Sequence, residues 1–577
     1  MNSENLNNLR HSCAHLLAAA IKELYPNAKN TIGPSIENGF YYDFDFGNIK
    51  VSLEDLPLIE NKMHEVVNSW KSFDRHEVTA SQALEEFNDN EYKKELINEF
   101  KVQDSDITIY QSGTFRDLCR GGHVSNPDQV LKFFKLLSVA GAYWRGSEKN
   151  KMLTRIYGTA FESQADLDNY LNILSEAEKR NHKKLGKELE LFMFHETAPG
   201  LAYFLPKGVK VYNELVNYWR DEHEKYGYQE IFSPLLNKKE LYETSGHWEH
   251  YRDNMFLSQT KEDETYALKP MNCPNAMVIF GSRIRSYKEL PLKLGDTDAL
   301  HRFELSGTLN GLLRIREFRQ DDAHIFITEE QIRESFKELF EITEKFYSVF
   351  GLNYSFRLGT RPESFMGDSK LWDQAEATLK EILEESGKEF YIEEGDGAFY
   401  GPKIDILMKD SLGRPWQMGT IQLDFQLPRR FDLKYTDKDG SEKTPVVIHR
   451  VIYGSFERFI GIITEHFAGS FPLWLSPTQV KVIPISEKFE EYSKKVLSEL
   501  RKNKIRAEID LRNETLGARV RDAQNEKIPY MIIIGQNEVD ERSITIRQRN
   551  SKDLQKSSSL DFINKVKAKI ENKDLEL

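Results

Sequence analysis

At "LSPTQ", residues 475–479, the patterning of the chain changes, and that change requires at least two different folds in one sequence. Beyond it, "VKVIPIS", "IRAEIDL", "YMIIIG" and "SITIRQR" alternate with helical stretches, which predicts a small α/β domain with a largely parallel sheet. Before it, from about residue 191, "YSFRL", "KIDILMK" and "TIQLDFQL" alternate apolar with polar residues and predict an antiparallel sheet with one covered face. Helical patterns at 208–226 and 329–350 accompany these strands. A chain of 577 residues is too long for a single core, so several domains are expected.

The N-terminal part has its own pattern. Residues 8–25 carry Ala14, Leu16, Leu17, Ala20 and Ile21 at helical spacing, and "IGPSIENGFYYDFDF" reads as a strand pair. Residues 164–190 read as one long polar helix, a connector. The apolar run near the start lacks a preceding basic region and is broken by Lys22 and Glu23, so neither a signal peptide nor a membrane span is expected, and the cytoplasm is the default location. Three cysteines, Cys13, Cys119 and Cys273, are too few for a disulfide framework.

The formal net charge of −13 argues against indiscriminate polyanion binding, although residues 481–577 hold 21 Lys+Arg against 17 Asp+Glu. Against that background "LHRFELSGTLNGLLRIREFRQDDAH" stands out, with Arg302, Arg314, Arg316 and Arg319 around a small-residue loop. "HRFE" puts Arg302 and Glu304 two residues apart on one face of a strand, and "GSFERF" puts Arg458 on a helix after a glycine. Converging guanidiniums suit a bent triphosphate, because each offers a planar fork of donors. The alternative is ordinary pairing with Glu304, Glu317 and Glu457. No P-loop and no G-x-G-x-x-G follows a strand, so the common nucleotide-binding motifs are missing.

Cys273, His324 and His449 are dispersed, yet one thiolate and two imidazoles make a set typical of catalytic zinc with an open position. Each taken singly also fits a buried structural residue. His11 and His15 lie four apart on one helical face, and Cys119 and His123 lie four apart in "DLCRGGH", a further zinc-like set by composition. A cap or surface role for His11 is the alternative.

Pro234 in "EIFSPLL", Arg302 in "HRFE" and Arg458 in "GSFERF" resemble the three motifs of class II aminoacyl-tRNA synthetases. "PMNCP", "RQDDAHIF", "GAFYGPKID", "GTIQLDF" and "VVIHRVIYGSFERFIGI" are similar to the threonyl-tRNA synthetase family, and the resemblance runs from about residue 9 to 570. It implies an α+β multidomain chain: an editing domain (1–163), a connector helix (164–190), a class II antiparallel-sheet catalytic domain (191–476) and a C-terminal α/β anticodon-binding domain (477–577). It also implies a homodimer joined through motif 1, and a bacterial form without the N-terminal ubiquitin-like domain, since His11 falls almost at the start.

By the same resemblance, Arg302 holds the α-phosphate of Mg²⁺-bound ATP and Arg458 its γ-phosphate end, with Lys403 and Gln320 as further catalytic-site positions. Asp322, Tyr400, Gln422 and Glu304 are substrate-binding positions, and Cys273, His324 and His449 hold one Zn²⁺ per subunit. Zinc would answer a selectivity problem, since threonine and valine are nearly isosteric and a hydrophobic pocket separates them poorly. Serine also carries a hydroxyl, and a missing methylene is worth only roughly 1–3 kcal/mol, so a correction step is expected. "HSCAH" and "DLCRGGH" resemble the editing-domain elements, giving His11, His15, Cys119 and His123, with Lys93, Tyr110 and Asp117 as further matches; whether that site binds metal stays open. Asn513, Arg521, Glu538 and Arg547 match anticodon-reading positions, where the alternative is solvated surface charge.

The chain departs from the family at Gly122, where proline is usual, at Asn275 and Ala276, where Gly-His is common, and at Glu317 in place of glycine. The reading that follows is a threonine–tRNA ligase with partners tRNA(Thr), ATP and L-threonine and no membrane. A synthetase-derived RNA-binding regulator and a free-standing deacylase are the alternatives.

Overall fold

The computed structural model describes residues 3–103 and 106–577, which divide into two compact units, Met1–Ser175 and Glu176–Leu577. In the smaller unit the helix Ser3–Leu24 buries its expected stripe completely, Ala14, Leu17 and Ala20 included. It packs on a five-stranded antiparallel sheet ordered Lys29–Asn30, Gly39–Asp45, Met152–Phe161 and Phe133–Tyr143, with Ser35–Ile36 added on Gly39–Asp45. A second sheet joins Asp74–Val78, Ile107–Ser112 and Phe115–Leu118.

The single helix expected at 164–190 is two helices, Gln164–Arg180 and His182–Glu188. Asn181 leaves helical geometry with ψ of 119° and caps the second helix, its side chain accepting from the Lys183 N–H at 2.9 Å. Asparagine competes with the helix for backbone donors, which is why the break falls there.

An eight-stranded sheet organises the larger unit. From one edge its order is Gln229–Ile231, Leu292–Asp296, Asp322–Ile327, Val446–Val451, Pro415–Asp424, Lys403–Lys409, Tyr354–Gly359 and Phe390–Glu393. Pairing is antiparallel except at the two outermost pairs, which are parallel. Its central strands are buried on both faces, so the expectation of one covered face is corrected. On the first face Ile325, Ile327, Ile448, Ile421 and Ile404 meet the helix Ile332–Ser348 through Phe336 and Leu339. On the second, Leu294, Phe326 and Val447 meet the short apolar helix Cys273–Phe280, whose Phe280 ring stacks on Phe326 at 4.3 Å.

That second face carries the site. Register places Lys403 opposite Gln422, Gln422 opposite His449, and His449 opposite His324, one transverse row across four strands. Side chains directly opposite one another share a face, so these four emerge together. The covering helix starts with Cys273 and brings its sulfur to the same row.

Arg302 and Glu304 follow the strand Ala299–His301 instead of lying on it, a further correction. The strand ladder with Glu317–Arg319 ends at His301, one further backbone bond runs from Arg302 N–H to Arg316 O at 2.9 Å, and a tight turn in which Glu304 N–H donates to Arg302 O then opens the loop. The C-terminal sheet is ordered Ala507–Ile509, Val480–Pro484, Tyr530–Ile534, Ile544–Gln548 and Leu554–Ser557, with three parallel strands and two antiparallel ones, so it is mixed and less parallel than expected. The link from Ile534 to Ile544 holds only the short helix Gln536–Glu541, too little chain for a parallel crossover.

Phe280→Ala is expected to lower the stability of the larger unit by roughly 3–5 kcal/mol, because the ring is fully buried and its loss opens a cavity under Phe326. Val278→Ala on the half-exposed side of the same helix should stay within about 0.5 kcal/mol. Urea unfolding of the two variants checks this, and equal effects would contradict it.

Candidate active site

Cys273, His324 and His449 are all buried, and their donor atoms lie within 4.8 Å of one another. His449 Nε2 lies 2.8 Å from an oxygen of buried Asp424, which leaves the other ring nitrogen free to ligate. The Nδ1 of His324 is buried without a hydrogen-bond partner. Burial, then the charges of His449 and Arg450, hold the His324 imidazole well below its usual range, so it is neutral. Burial and then Asp322 and Asp424 push the Cys273 thiol well up, so ionising it takes a cation. One sulfur and two imidazoles, one of them oriented by a carboxylate and the other orphaned, fit a metal ion with a position left open.

The surrounding polar groups are under-satisfied. Asp322, on the same face two residues before His324, accepts from Asn272 at 3.2 Å, while Asn272 Oδ1 and Asn275 Nδ2 are buried without partners. Tyr400 donates its hydroxyl to Gln422, and Lys403 Nζ lies 3.1 Å from both Asp396 and Asp405. His247, fully buried with Nε2 3.8 Å from Cys273 Sγ, is held neutral by burial and then by His449. Sequence reading gave no role to His247 or Asp424. Asp424 stood inside "GTIQLDF"; register pairs it with Val447, two residues along the same face from His449, and its side chain reaches back to that ring.

Two of the loop arginines pair with acids, and Arg316 donates to Glu304 O, Pro199 O and Ser306 Oγ. Arg314 pairs with Glu304 at 2.8 Å, and Arg319 with Glu317 at 3.2 Å and Glu457 at 3.4 Å, so for these two ordinary ion pairing holds. Arg302 has no carboxylate partner among the described residues; its Nε donates to Pro270 O and its guanidinium lies 5.0 Å from the Phe318 ring centre. Arg458, on the helix Phe456–His466 capped by Ser455, likewise has none, and its Nε is buried without any partner. Burial, and then the charge of Arg314, lower its pKa. A largely buried guanidinium beside a second cation is costly unless an anion completes it. Gln320 bridges Ser455 through its backbone, tying the strand after the arginine loop to the start of the Arg458 helix.

The second constellation lies in the smaller unit. His11 Nε2 is 3.0 Å and His123 Nε2 3.2 Å from Cys119 Sγ, and the donor atoms of these three and His15 lie within 4.8 Å of one another. Lys93 Nζ, almost fully buried, reaches Asp117 at 2.5 Å, and Tyr42, to which no role was given from sequence, donates to the same carboxylate. Tyr110 packs on His123 with ring centres 4.8 Å apart. A cavity of about 310 Å³ opens between His11, His15, Lys93, Asp117 and Cys119. Burial pushes the Cys119 thiol up to about 11, so it is no ready nucleophile. Gly122 has φ of +84°, closed to proline, so the loop takes a path that the family's usual residue could not follow.

In the C-terminal part Asn513 and Arg521 are exposed and make no side-chain bond or ion pair within the described residues. Glu538 instead accepts from Gly535 N–H at 2.8 Å and Thr545 Oγ1 at 2.7 Å, and Arg547 donates to Ser551 O at 2.8 Å. Asn513 and Glu538 both follow the carboxyl ends of parallel strands. That edge is where mixed α/β sheets present ligand contacts.

A mostly antiparallel sheet, an arginine loop between two short strands, and a bare guanidinium on a capped helix define a class II aminoacyl-tRNA synthetase core. Residues 256–467 match the "tRNA synthetase class II core domain (G, H, P, S and T)", residues 479–569 the "Anticodon binding domain", and residues 107–157 the "Threonyl and Alanyl tRNA synthetase second additional domain". The chain belongs to the threonine–tRNA ligase family. It is 49% identical over 98% of its length to the threonine–tRNA ligase of Acetivibrio thermocellus, covering 89% of that protein, and 50% identical to those of Thermotoga neapolitana and Clostridium novyi, over 98% and 99% of the chain and 89% of each. A threonyl-tRNA synthetase structure from Cryptosporidium parvum Iowa II, titled as its RNA binding domain, superposes with a TM-score of 0.66 at 40% identity, covering 67% of this chain and 98% of that one. A threonyl-tRNA synthetase structure from Aeropyrum pernix gives 0.60 at 30% identity, covering 68% and 95%. Class II synthetases use ATP with Mg²⁺. No helix among the described residues is long and apolar enough to cross a membrane.

Burial, then the charges of His15 and His11, push the His123 imidazole down to about 2. The unfolded chain protonates histidine near pH 6.5, so below that value the unfolded state binds more protons and stability falls as pH falls. The His123 ring resonance is therefore expected to stay unprotonated from about pH 7 to pH 5 by NMR, and His123→Asn should flatten the loss of stability over that range. Titration of the ring near its ordinary value would contradict this.

Proposed function

We propose that this chain joins L-threonine to tRNA(Thr) through a threonyl-adenylate and hydrolyses seryl-tRNA(Thr) formed in error. The observation that carries the reading is that one unit holds both the donor set Cys273, His324 and His449 and the guanidiniums of Arg302 and Arg458, neither of which has a carboxylate partner among the described residues, the Nε of Arg458 being buried with no partner at all. A regulator or a free-standing deacylase would have no use for that pairing.

Cys273, His324 and His449 would hold one Zn²⁺ per subunit. When bound, that ion supplies an open Lewis-acid position for an amino group and a hydroxyl, which valine lacks. Asp322 accepts from the amino acid, and Tyr400 and Gln422, already bonded to each other, wall the pocket. The threonine carboxylate oxygen attacks the α-phosphorus of ATP while the bond to pyrophosphate breaks. Arg302 neutralises the α-phosphate and Arg458 the departing end, with Lys403, Gln320 and Glu304 along the substrate. The step draws its rate from positioning and charge stabilisation. The terminal ribose hydroxyl of the tRNA then takes the acyl group from AMP.

In the editing domain, His11, His15, Lys93, Asp117 and Cys119 line the cavity, with His123 against Cys119 and Tyr110 against His123. Neutral imidazoles and a protonated thiol support hydrolysis by an oriented water over attack by sulfur. The domains run 1–163 for editing, 164–190 as connector, 191–476 for catalysis and 477–577 for the anticodon, which Asn513, Arg521, Glu538 and Arg547 read. Phe232, 73% exposed, with Leu235 and Leu236 flanks Pro234 and supports a homodimer through that segment. Three free cysteines suit a cytoplasmic protein.

Threonine-dependent ATP–pyrophosphate exchange is expected in the wild type and not with valine, and Cys273→Ser should lose zinc and exchange together. Asp424→Asn should weaken zinc binding about 10–100-fold, since it frees His449 from its orienting carboxylate. Absence of exchange in zinc-replete wild type would sink the reading.

A further inference from the structure

His182 opens the helix His182–Glu188 and is 1% exposed, yet every polar atom of its ring is used. Its Nδ1 lies 2.7 Å from Glu465 Oε1, and its backbone N–H donates to the same oxygen at 3.0 Å. Its Nε2 accepts from the backbone N–H of Leu312 at 3.1 Å. Because Nε2 faces a donor it must be the acceptor, so the proton sits on Nδ1 and points at Glu465. Glu465 lies in the last turn of the helix Phe456–His466, whose first turn carries Arg458, and its second oxygen takes Arg414 at 2.5 Å, which leaves the carboxylate fixed. Leu312, fully buried, lies in the loop that runs from Arg302 to Arg316.

The loop and the helix approach this ring through glycines. At Gly311, with φ of +53°, a Cβ would sit 2.2 Å from His182 Nε2. At Gly461 a Cβ would meet Leu313 at 3.2 Å, Leu312 at 3.3 Å and His182 at 3.5 Å. Lys183, the next residue, reaches Asn310 Oδ1 at 3.2 Å. One imidazole thus bridges the backbone of the arginine loop to the far end of the helix that carries Arg458.

We infer that His182 is a positioning residue for ATP, setting the arginine loop at a fixed distance from Arg458 while touching neither nucleotide nor amino acid. The inference rests on the proposed roles of Arg302 and Arg458. The two bonds can be separated by substitution. His182→Gln carries an acceptor oxygen where Nε2 stood and keeps the Leu312 bond; His182→Asn keeps a donor where Nδ1 stood and falls short of Leu312; His182→Ala loses both.

The test combines hydrogen exchange of the peptide containing residues 308–316 with pyrophosphate-exchange kinetics and zinc content. For Asn and Ala variants we expect faster exchange at Leu312 and a rise of roughly tenfold to a hundredfold in KM for ATP. KM for threonine and bound zinc should stay at wild-type levels, and the Gln variant should restore both Leu312 protection and the KM for ATP. Unchanged KM for ATP in the Ala variant, with an active wild type, would overturn the inference and leave the proposed reaction standing. So would equal losses for ATP, threonine and melting temperature in all three variants, which is the mark of a purely structural residue. An inactive wild type would instead count against the reaction itself, and unchanged Leu312 protection in the Ala variant would still overturn the bridge.

Discussion

The second face of the eight-stranded sheet has to be covered, and what covers it, together with Leu427, Leu433 and Tyr435, is the short helix Cys273–Phe280. Its apolar side, Ala276, Met277 and Phe280, fits over Leu292, Leu294, Phe326 and Val447, and burying that face fixes where the helix begins. The thiol at its first turn therefore lands against His324 and His449 because packing leaves it nowhere else. Register does the rest, since antiparallel pairing puts Gln422 and Lys403 in the same row as the two histidines, and a slip of one residue would turn the whole row to the opposite face. Hydrophobic burial and strand register, neither of them chemical in purpose, assemble the donor set.

The phosphate side rests on a different imbalance. Four arginines crowd the loop, and two are neutralised by Glu304, Glu317 and Glu457. Of the other two, Arg316 spends its guanidinium on Glu304 O, Pro199 O and Ser306 Oγ, and the Arg302 guanidinium bonds only Pro270 O; Arg458, on the helix beyond the loop, also lacks an acid, and its buried Nε has nothing to bond. A fold stores such an unpaired charge only at the expense of stability, which is the usual mark of a ligand site. Glu457 shows the opposite arrangement on the neighbouring residue: fully buried, pushed up to about 7 by desolvation, and held by the backbone and side chain of Arg319.

Much of this was legible in the sequence. Strands 354–358 and 403–409 and the helices near 208–226 and 329–350 follow from periodicity, because each buries a continuous stripe. The histidines, Cys273 and the two arginines could be singled out by residue type, but only resemblance gave them roles, since their types are common and their spacing follows no local rule. What escaped needed coordinates. Asn181 breaks a helix through one backbone angle, and the antiparallel end of the C-terminal sheet depends on a short link. Asp424, His247 and Tyr42 matter only through neighbours distant in sequence. Arg302 was expected on a strand, and it follows one because the hairpin keeps a single backbone bond past His301, from Arg302 N–H to Arg316 O, before the turn at Glu304 opens it.

The central claim is that the row across the sheet and the helix above it make a metal centre that reads a hydroxyl group. X-ray absorption at the zinc edge of the purified wild type measures this directly. One sulfur and two nitrogens from the protein, with a first shell that changes on adding threonine and not on adding valine, is the predicted result. Protein without zinc, a shell lacking sulfur, or equal responses to the two amino acids would contradict it.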